Sequence, residues 1–291
     1  MRLLKRTFMI FLSITIIIVV FILFILLVNT FGSYKPAVKE ELIIMRGSVT
    51  DDNDNGSISF VIWNIGYCGL GKEMDFFYEG GSMVMPPREN YEKYLQGVSG
   101  FITNCNSKDF VLLQEVDLYA SRSYKLNQSE HIARLMPSHS SVFGVNYDAK
   151  FIPFPLYNPM GRVKSGQMTL SKYNISSAER IALPGSYYWP KNLFFPDRCL
   201  IVAYIPLAEN KTMVVINVHN SAFDDASEIR TKEINFIKHF MIEEYSKGNY
   251  VVAGGDWNMN PFAFDSSLIK KEYVCKNVEP RLTDYFLPEG W

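Results

Sequence analysis

The sequence has no C-x-x-C pair, and its four cysteines, Cys68, Cys105, Cys199 and Cys275, lie far apart. A zinc knuckle or thioredoxin-type redox motif is thereby disfavoured, and four cysteines in 291 residues make no disulfide scaffold. They read as core or free thiols. A charge excess of one sign is also missing, since 29 basic residues meet 30 acidic ones. This excludes a globally basic nucleic-acid binder. There is no internal repeat, and 18 glycines and 14 prolines are too few for a collagen-like or low-complexity chain. With 48% apolar and 14% aromatic residues, the chain can bury a core, which a disordered one cannot. Its length admits one large domain or two small ones.

Charge is locally absent from Phe8 to Val28, an apolar run interrupted only by Ser13 and Thr15. As a helix its 21 residues span roughly 31 Å, the thickness of a bilayer core. A secretory signal has an apolar core of about 7–15 residues and a small-residue cleavage site. Asn29-Thr30-Phe31-Gly32-Ser33 is a poor match to such a site. The run reads as an uncleaved signal anchor over residues 8–30, with a long signal peptide as the other reading. Arg2, Lys5 and Arg6 precede it and the first acidic residue is Glu40. The positive-inside bias therefore places residues 1–7 in the cytoplasm and the rest outside. Without those three cations, 26 basic residues remain against 30 acidic ones, a net charge of −4.

Residues 31–57 read as a stalk, because Lys35-Pro36, Gly47 and the polar cluster Asp51–Gly56 break any periodicity. Residues 58–291 then form one domain. Ile58–Trp63, Phe110–Leu113, Met168–Leu170, Leu200–Ile205, Met213–Val218 and Tyr250–Ala253 are short runs rich in β-branched and aromatic residues, as expected of buried strands. Arg88–Asn104 and Asp225–Lys247 read as helices, the second opening on Asp225 and Glu228 and stopping at Gly248. The pattern predicts an α/β sandwich, sheet packed on sheet with helices outside.

Polar residues gather where these strands end. Trp63-Asn64, Gln114-Glu115, Asn217-Val218-His219-Asn220 and Gly254-Gly255-Asp256-Trp257-Asn258 each close a strand. Strand ends let side chains converge while the sheet holds them rigid. Glu115 is a hard oxygen donor suited to Mg²⁺, which takes few protein ligands and completes its shell with water and substrate phosphate. Asp256 and Asn258, two apart, share one face of an extended segment, where one can orient a water and the other donate to a phosphate oxygen. His219 can donate to charge that grows in a transition state. Taken singly, each of these residues is equally an ordinary turn or strand-end residue. Their joint occurrence at strand ends is what points to chemistry.

In this order, Ile62-Trp63-Asn64, Leu112-Leu113-Gln114-Glu115-Val116, Gly166 through Leu170-Ser171-Lys172-Tyr173, Asp197-Arg198, Asn217-Val218-His219 and Gly255-Asp256-Trp257-Asn258 resemble the endonuclease/exonuclease/phosphatase superfamily, the DNase I-like fold. The L-Q-E and G-D-x-N elements are the specific ones. The resemblance implies a four-layered α/β sandwich, which here follows the N-terminal transmembrane helix read from the apolar run. It also implies hydrolysis of a phosphate ester with Mg²⁺, or Mn²⁺ in its place. Carried over by residue, Glu115 matches the metal ligand and Asn64 its neighbour at the metal–phosphate site. His219, Asn258 and Arg198 match groups on the substrate phosphate, and Asp256 matches the residue that orients the attacking water. The implied substrate is a nucleic acid or a phospholipid. The membrane is met through the N-terminal helix, and no protein partner is inferred.

The resemblance also implies a Ser-Asp-His element well beyond G-D-x-N. None of the 33 residues after Asn258 is a histidine; the four are His131, His139, His219 and His239. Leu282-Thr283-Asp284-Tyr285-Phe286 offers no substitute. The expectation is a C-terminally incomplete domain without its last strands. The alternative is a non-catalytic relative that binds a phosphate ligand.

Overall fold

A computed structural model of the chain describes residues 2–49, 57–222, 228–260 and Phe286. It opens with α1 (Arg2–Gly32), whose most apolar stretch has a mean hydropathy of 3.4, long and apolar enough to cross a membrane. The edge strands β1 (Lys39–Glu41) and β2 (Ile44–Met45) follow, then β3 (Phe60–Asn64), α2 (Arg88–Asn104) and β4 (Phe110–Asp117). Next come α3 (Gln128–Leu135), β5 (Ser140–Ile152), β6 (Gly161–Ser171), β7 (Ser177–Ala182), β8 (Cys199–Pro206) and β9 (Thr212–His219). α4 (Glu228–Ser246) and β10 (Tyr250–Asp256) complete the described elements.

The strands form two five-stranded sheets, ordered β1-β7-β8-β9-β10 and β2-β5-β6-β4-β3. Each sheet is antiparallel except at one edge, where β9 pairs parallel with β10 and β3 parallel with β4. A parallel pair needs a crossover, and α4 and α2 supply the two. On α2, Tyr91, Leu95, Val98 and Ile102 recur at helical spacing and face the second sheet. On α4, Ile237 and Met241, with Phe240, do the same against the first. Gly248, with φ +86, terminates that helix.

Alternation along each strand builds the layers. Val111 and Leu113 of β4 pack towards α2 and α3, whereas Phe110 and Leu112 face the other sheet. On β9, Val214, Ile216 and Val218 pack towards α4, whereas Met213 and Val215 face between the sheets. The architecture is thus helix, sheet, sheet, helix, as expected for the DNase I-like sandwich. Cys68, Cys105 and Cys199 are buried free thiols, and Cys275 lies outside the described residues.

Part of the segment read as a stalk is sheet. β1 pairs antiparallel with β7 and β2 with β5, so residues 39–45 belong to the folded domain. These strands are two or three residues long and mostly polar or exposed, which leaves no apolar alternation to read. β5 also escaped the pattern. Its pairing with β6 slips near Val145 and again near Ala149, and each bulge breaks the period of two. Residues 223–227, including the expected cap Asp225, and the end of the chain apart from Phe286 lie outside the described residues.

Two glycines let β10 close onto its neighbours. β10 packs on β3 and β4, and a Cβ on Gly254 would stand 2.5 Å from Ile62 Cδ1 and 3.3 Å from Leu112 Cδ1. Gly255 has φ +148, and a Cβ there would lie 2.0 Å from the Val218 carbonyl oxygen. Backbone cannot yield as a side-chain tip can. Gly255→Ala is therefore expected to destabilise the fold by about 2 kcal/mol or more through combined strain and overpacking. Chemical denaturation of the two proteins measures it, and equal midpoints would show that β10 tolerates the substituent.

Candidate active site

Strand alternation decides which polar side chains reach the space between the sheets. On β3, Val61 and Trp63 pack towards α2, so Asn64 shares the inter-sheet face with Phe60. On β10, Val252 faces between the sheets, and so does Asp256 four residues on. On β9 the same parity carries Asn217 and His219 inward. All four sit at the C-terminal ends of the two parallel edges, where those edges meet.

Glu115 arrives by another route. Simple alternation would turn it towards the helices together with Leu113. The pairing of β4 with β6 shifts between Leu113 and Val116, and Glu115 takes φ +56. Val116 then packs in the helix-side layer, as Leu113 does. Both Gln114 and Glu115 are left for the mouth of the sandwich, the re-aiming a bulge performs.

The result is a clamp. Asn64 Nδ2 donates to Glu115 Oε1 at 3.1 Å and to Asp256 Oδ2 at 2.8 Å, joining one carboxylate from each sheet. Asn64 Oδ1 accepts from the Gly66 amide at 3.0 Å, which fixes the side chain. Among the described residues neither carboxylate is in a salt bridge with a lysine or arginine. Asp256 Oδ1 accepts from the Asn258 amide at 3.0 Å, and the Asn220 amide donates to the Asp256 carbonyl at 3.0 Å. Asn258 Nδ2 donates to the Asn220 carbonyl at 2.8 Å, and Arg230 Nη1 donates to the Asn258 carbonyl at 3.0 Å.

His219 Nε2 stands 3.9 Å from Asp256 Oδ2, too far for a hydrogen bond, and Nδ1 is buried without a partner among the described residues. Burial, reinforced by the Arg198 and Arg122 cations, pushes this imidazole well below its usual range. It is therefore neutral at pH 7, with one N–H to donate. Arg198, just before β8, is half-buried and makes no side-chain hydrogen bond among the described residues. Burial lowers its pKa, while Glu233, Glu115 and Asp256 oppose that shift. The structure thus brings Asn64, Glu115, His219, Asp256 and Asn258 together, with Arg198 within electrostatic reach. His131 and His139 are engaged elsewhere, with Ser99 and with the Lys108 carbonyl, and His239 lies on the exposed side of α4.

Sequence reasoning missed three supports of this site. Gln114 Nε2 donates to Asn217 Oδ1 at 2.7 Å across the interior, and both residues are fully buried. Asn217 Nδ2 donates in turn to the Leu113 and Met168 carbonyls at 3.2 and 3.0 Å. The second support is a buried bidentate pair, Arg122 with Asp117 at 3.0 and 2.9 Å, with Arg122 lying 3.9 Å over the Tyr67 ring. Asn220 is the third, fully buried, with neither side-chain amide atom hydrogen-bonded among the described residues. Adjacency to His219 was the only signal for Asn220. The Arg122–Asp117 pair carries no sequence signal.

The sequence profile of the endonuclease/exonuclease/phosphatase family matches residues 62–290. The chain belongs to this family. No curated protein matches the sequence. Solved structures similar to this family member include D. rerio TDP2 complexed with single strand DNA product, at 14% identity over 72% of this chain and 63% of that one, TM-score 0.44. The human Nocturnin catalytic domain with bound sulfate anion shows 16% identity over 70% and 65% of the chains, TM-score 0.45. An endonuclease/exonuclease/phosphatase from Beutenbergia cavernae DSM 12333 shows 16% identity over 62% and 43%, TM-score 0.43. The chain thus covers less than two-thirds of each of these structures.

The cross-sheet bond makes a prediction for this family member. Asn217→Leu removes the acceptor of Gln114 Nε2 and the donor to two strand carbonyls in the buried interior. Leaving such groups unpaired costs about 1–3 kcal/mol each. Denaturant unfolding should show a loss in that range or above it. A midpoint equal to that of the native chain would mean the bond does not hold the sheets.

Proposed function

We propose that the chain is a membrane-anchored, metal-dependent hydrolase of phosphodiester or phosphomonoester bonds, acting on nucleic acid or phospholipid. The observation that carries this reading is the clamp: two carboxylates, one from each sheet, held by the single Asn64 amide nitrogen. Two hard oxygen donors with no cationic salt bridge are a donor set that fits Mg²⁺, or Mn²⁺ in its place. No group of three or more His, Cys, Asp or Glu side chains forms a closed metal cage among the described residues. Glu115 would be the principal ligand, with Asn64 beside it. A bound divalent cation supplies Lewis-acid polarisation of a phosphoryl oxygen.

The chain's own residues account for the rest. Asp256 is held by the Asn258 amide and the Asn64 side chain, so its carboxylate is oriented to accept a hydrogen bond from a water aimed at phosphorus. As the new P–O bond forms, the water proton moves towards that carboxylate and the ester P–O bond breaks, the leaving oxygen departing with the bond's electron pair and taking its proton from solvent water. Neutral His219 donates its N–H to the phosphoryl oxygen that gains charge. Asn258 Nδ2 gives one hydrogen to the Asn220 carbonyl and has a second to offer a phosphoryl oxygen, and Arg198 offers a positive charge. The length and apolarity of α1 support the anchor, with residues 1–7 cytoplasmic and the domain outside.

A second reading is phosphate binding without turnover. It is favoured by one observation: among the described residues no second imidazole stands beside His219 to supply a leaving-group proton. One assay separates the two. Full-length protein in detergent micelles with Mg²⁺ should hydrolyse bis(p-nitrophenyl) phosphate. Asp256→Asn should lower the rate at least about 10²-fold while leaving the melting midpoint near that of the native chain. His239→Gln, on the exposed side of α4, should have no effect. A native chain without hydrolysis would favour the binding reading, and an Asp256→Asn variant at full rate would remove Asp256 from the mechanism.

A further inference from the structure

The connection from β7 to β8 folds back beside the segment that follows α1, and between them lies a cavity of about 380 Å³. Its wall includes Tyr34, Lys35, Arg180, Ser186, Asp197 and Arg198, but none of Asn64, Glu115, His219, Asp256 or Asn258. Arg180 is 1% exposed. It donates through Nε to the Val145 carbonyl at 2.8 Å and through Nη2 to the Asp197 carbonyl at 3.1 Å, and it lies 5.6 Å from the Tyr34 ring. Its Nη1 is buried with no hydrogen-bond partner among the described residues.

Charge on the cavity wall is unbalanced. Among the described residues none of Lys35, Arg180 and Arg198 is in a salt bridge with a carboxylate. Two carboxyl groups also face the cavity. Asp148 is already paired with Arg162 and Lys150. Burial pushes the Asp197 carboxyl up to about 6, against the pull of Arg180, so at pH 7 it is still largely ionised and offsets one of the three cations. Two positive charges on the wall are left without a carboxylate of their own, and a buried guanidinium nitrogen with no acceptor among the described residues is suited to receive an oxyanion.

The position of the cavity indicates where that oxyanion comes from. Asn29, near the end of α1, exchanges two hydrogen bonds with the Phe151 backbone, at 3.0 and 3.2 Å. Trp189 Nε1 donates to Thr30 Oγ1 at 3.3 Å, from the same connection that carries Ser186. Tyr188 and Trp189 are 93% and 60% exposed, the residue types that settle at the headgroup level of a bilayer. The cavity therefore lies beside the point where α1 would leave the membrane.

We propose that this cavity is a binding site for the phosphate of an anionic phospholipid headgroup, with Arg180 as its buried anchor. The inference rests on the membrane-anchored reading and not on hydrolysis. The test uses full-length protein in neutral detergent with a metal chelator, so that turnover cannot enter, and native mass spectrometry to count retained lipid. The chain should retain one phosphatidic acid and little diacylglycerol, which has the same tails without the phosphate. Ser186→Glu, which sets a carboxylate in the cavity without removing an arginine, should weaken retention at least about tenfold, and Arg180→Met should do so as well. Asp256→Asn should leave retention unchanged, so that a failed hydrolysis assay and a failed lipid site are told apart. Displacement of phosphatidic acid by inorganic phosphate would support phosphate as the recognised group. Equal retention of the two lipids, binding of inorganic phosphate alone, or unaltered retention in a folded Ser186→Glu variant would overturn the proposal.

Discussion

The Gln114–Asn217 hydrogen bond ties one sheet to the other at the mouth of a mainly apolar interior, which Gln167 Nε2 to the Cys199 carbonyl and Arg180 Nε to the Val145 carbonyl also bridge farther from it. A dry layer packed only by Phe110, Leu112, Ile201, Val215 and their neighbours allows small slides of sheet on sheet, because apolar contacts carry little direction. A buried amide pair does not allow them, since a slide would leave donors unpaired. Asn217 also bonds to the Leu113 and Met168 carbonyls, so it registers β9 against two strands of the opposite sheet. Glu115 follows Gln114 directly and His219 lies two residues beyond Asn217. Fixing that bond fixes both sides of the mouth.

The same logic explains where the site sits. Each sheet has one parallel edge with a helical crossover, β3–α2–β4 in one and β9–α4–β10 in the other. Both edges end at the same mouth, and Gly254 and Gly255 remove the side chains that would hold β10 away. Part of the local backbone cost falls there. Gly66, Tyr67, Cys68, Glu115 and Asn258 all have positive φ. Such conformations persist for non-glycine residues only where surrounding contacts over-determine them. Here those contacts include the Asn64 Oδ1 bond to the Gly66 amide and the Asp256 bond to the Asn258 amide.

Much of this was legible in the sequence, for physical reasons. β4, β8 and β9 are buried on both faces and read as continuous apolar runs, and the half-buried β3 and β10 and part of β6 read as shorter ones, so these were found, and the side chains closing β3, β4, β9 and β10 marked the site. The helix over Arg88–Asn104 was readable because Tyr91, Val98 and Ile102 keep helical spacing. Glu115 was found as a residue but not as a bulge, since an inserted residue with positive φ looks in sequence like one more position of the strand. β1 and β2 were hidden because a two- or three-residue edge has no period, and β7 mixes Glu179 and Arg180 into its pattern. Through-space pairs such as Arg122–Asp117, and the buried Arg180 near Tyr34, have no linear signature at all.

Everything proposed for the site depends on Glu115 and Asp256 acting as one oxygen-rich pocket through Asn64. Paramagnetic resonance of Mn²⁺ titrated into the full-length protein tests this without substrate or turnover. The account predicts one tightly held ion per chain and at least about tenfold weaker binding in Glu115→Gln. Binding that is unchanged in a folded Glu115→Gln variant would contradict it.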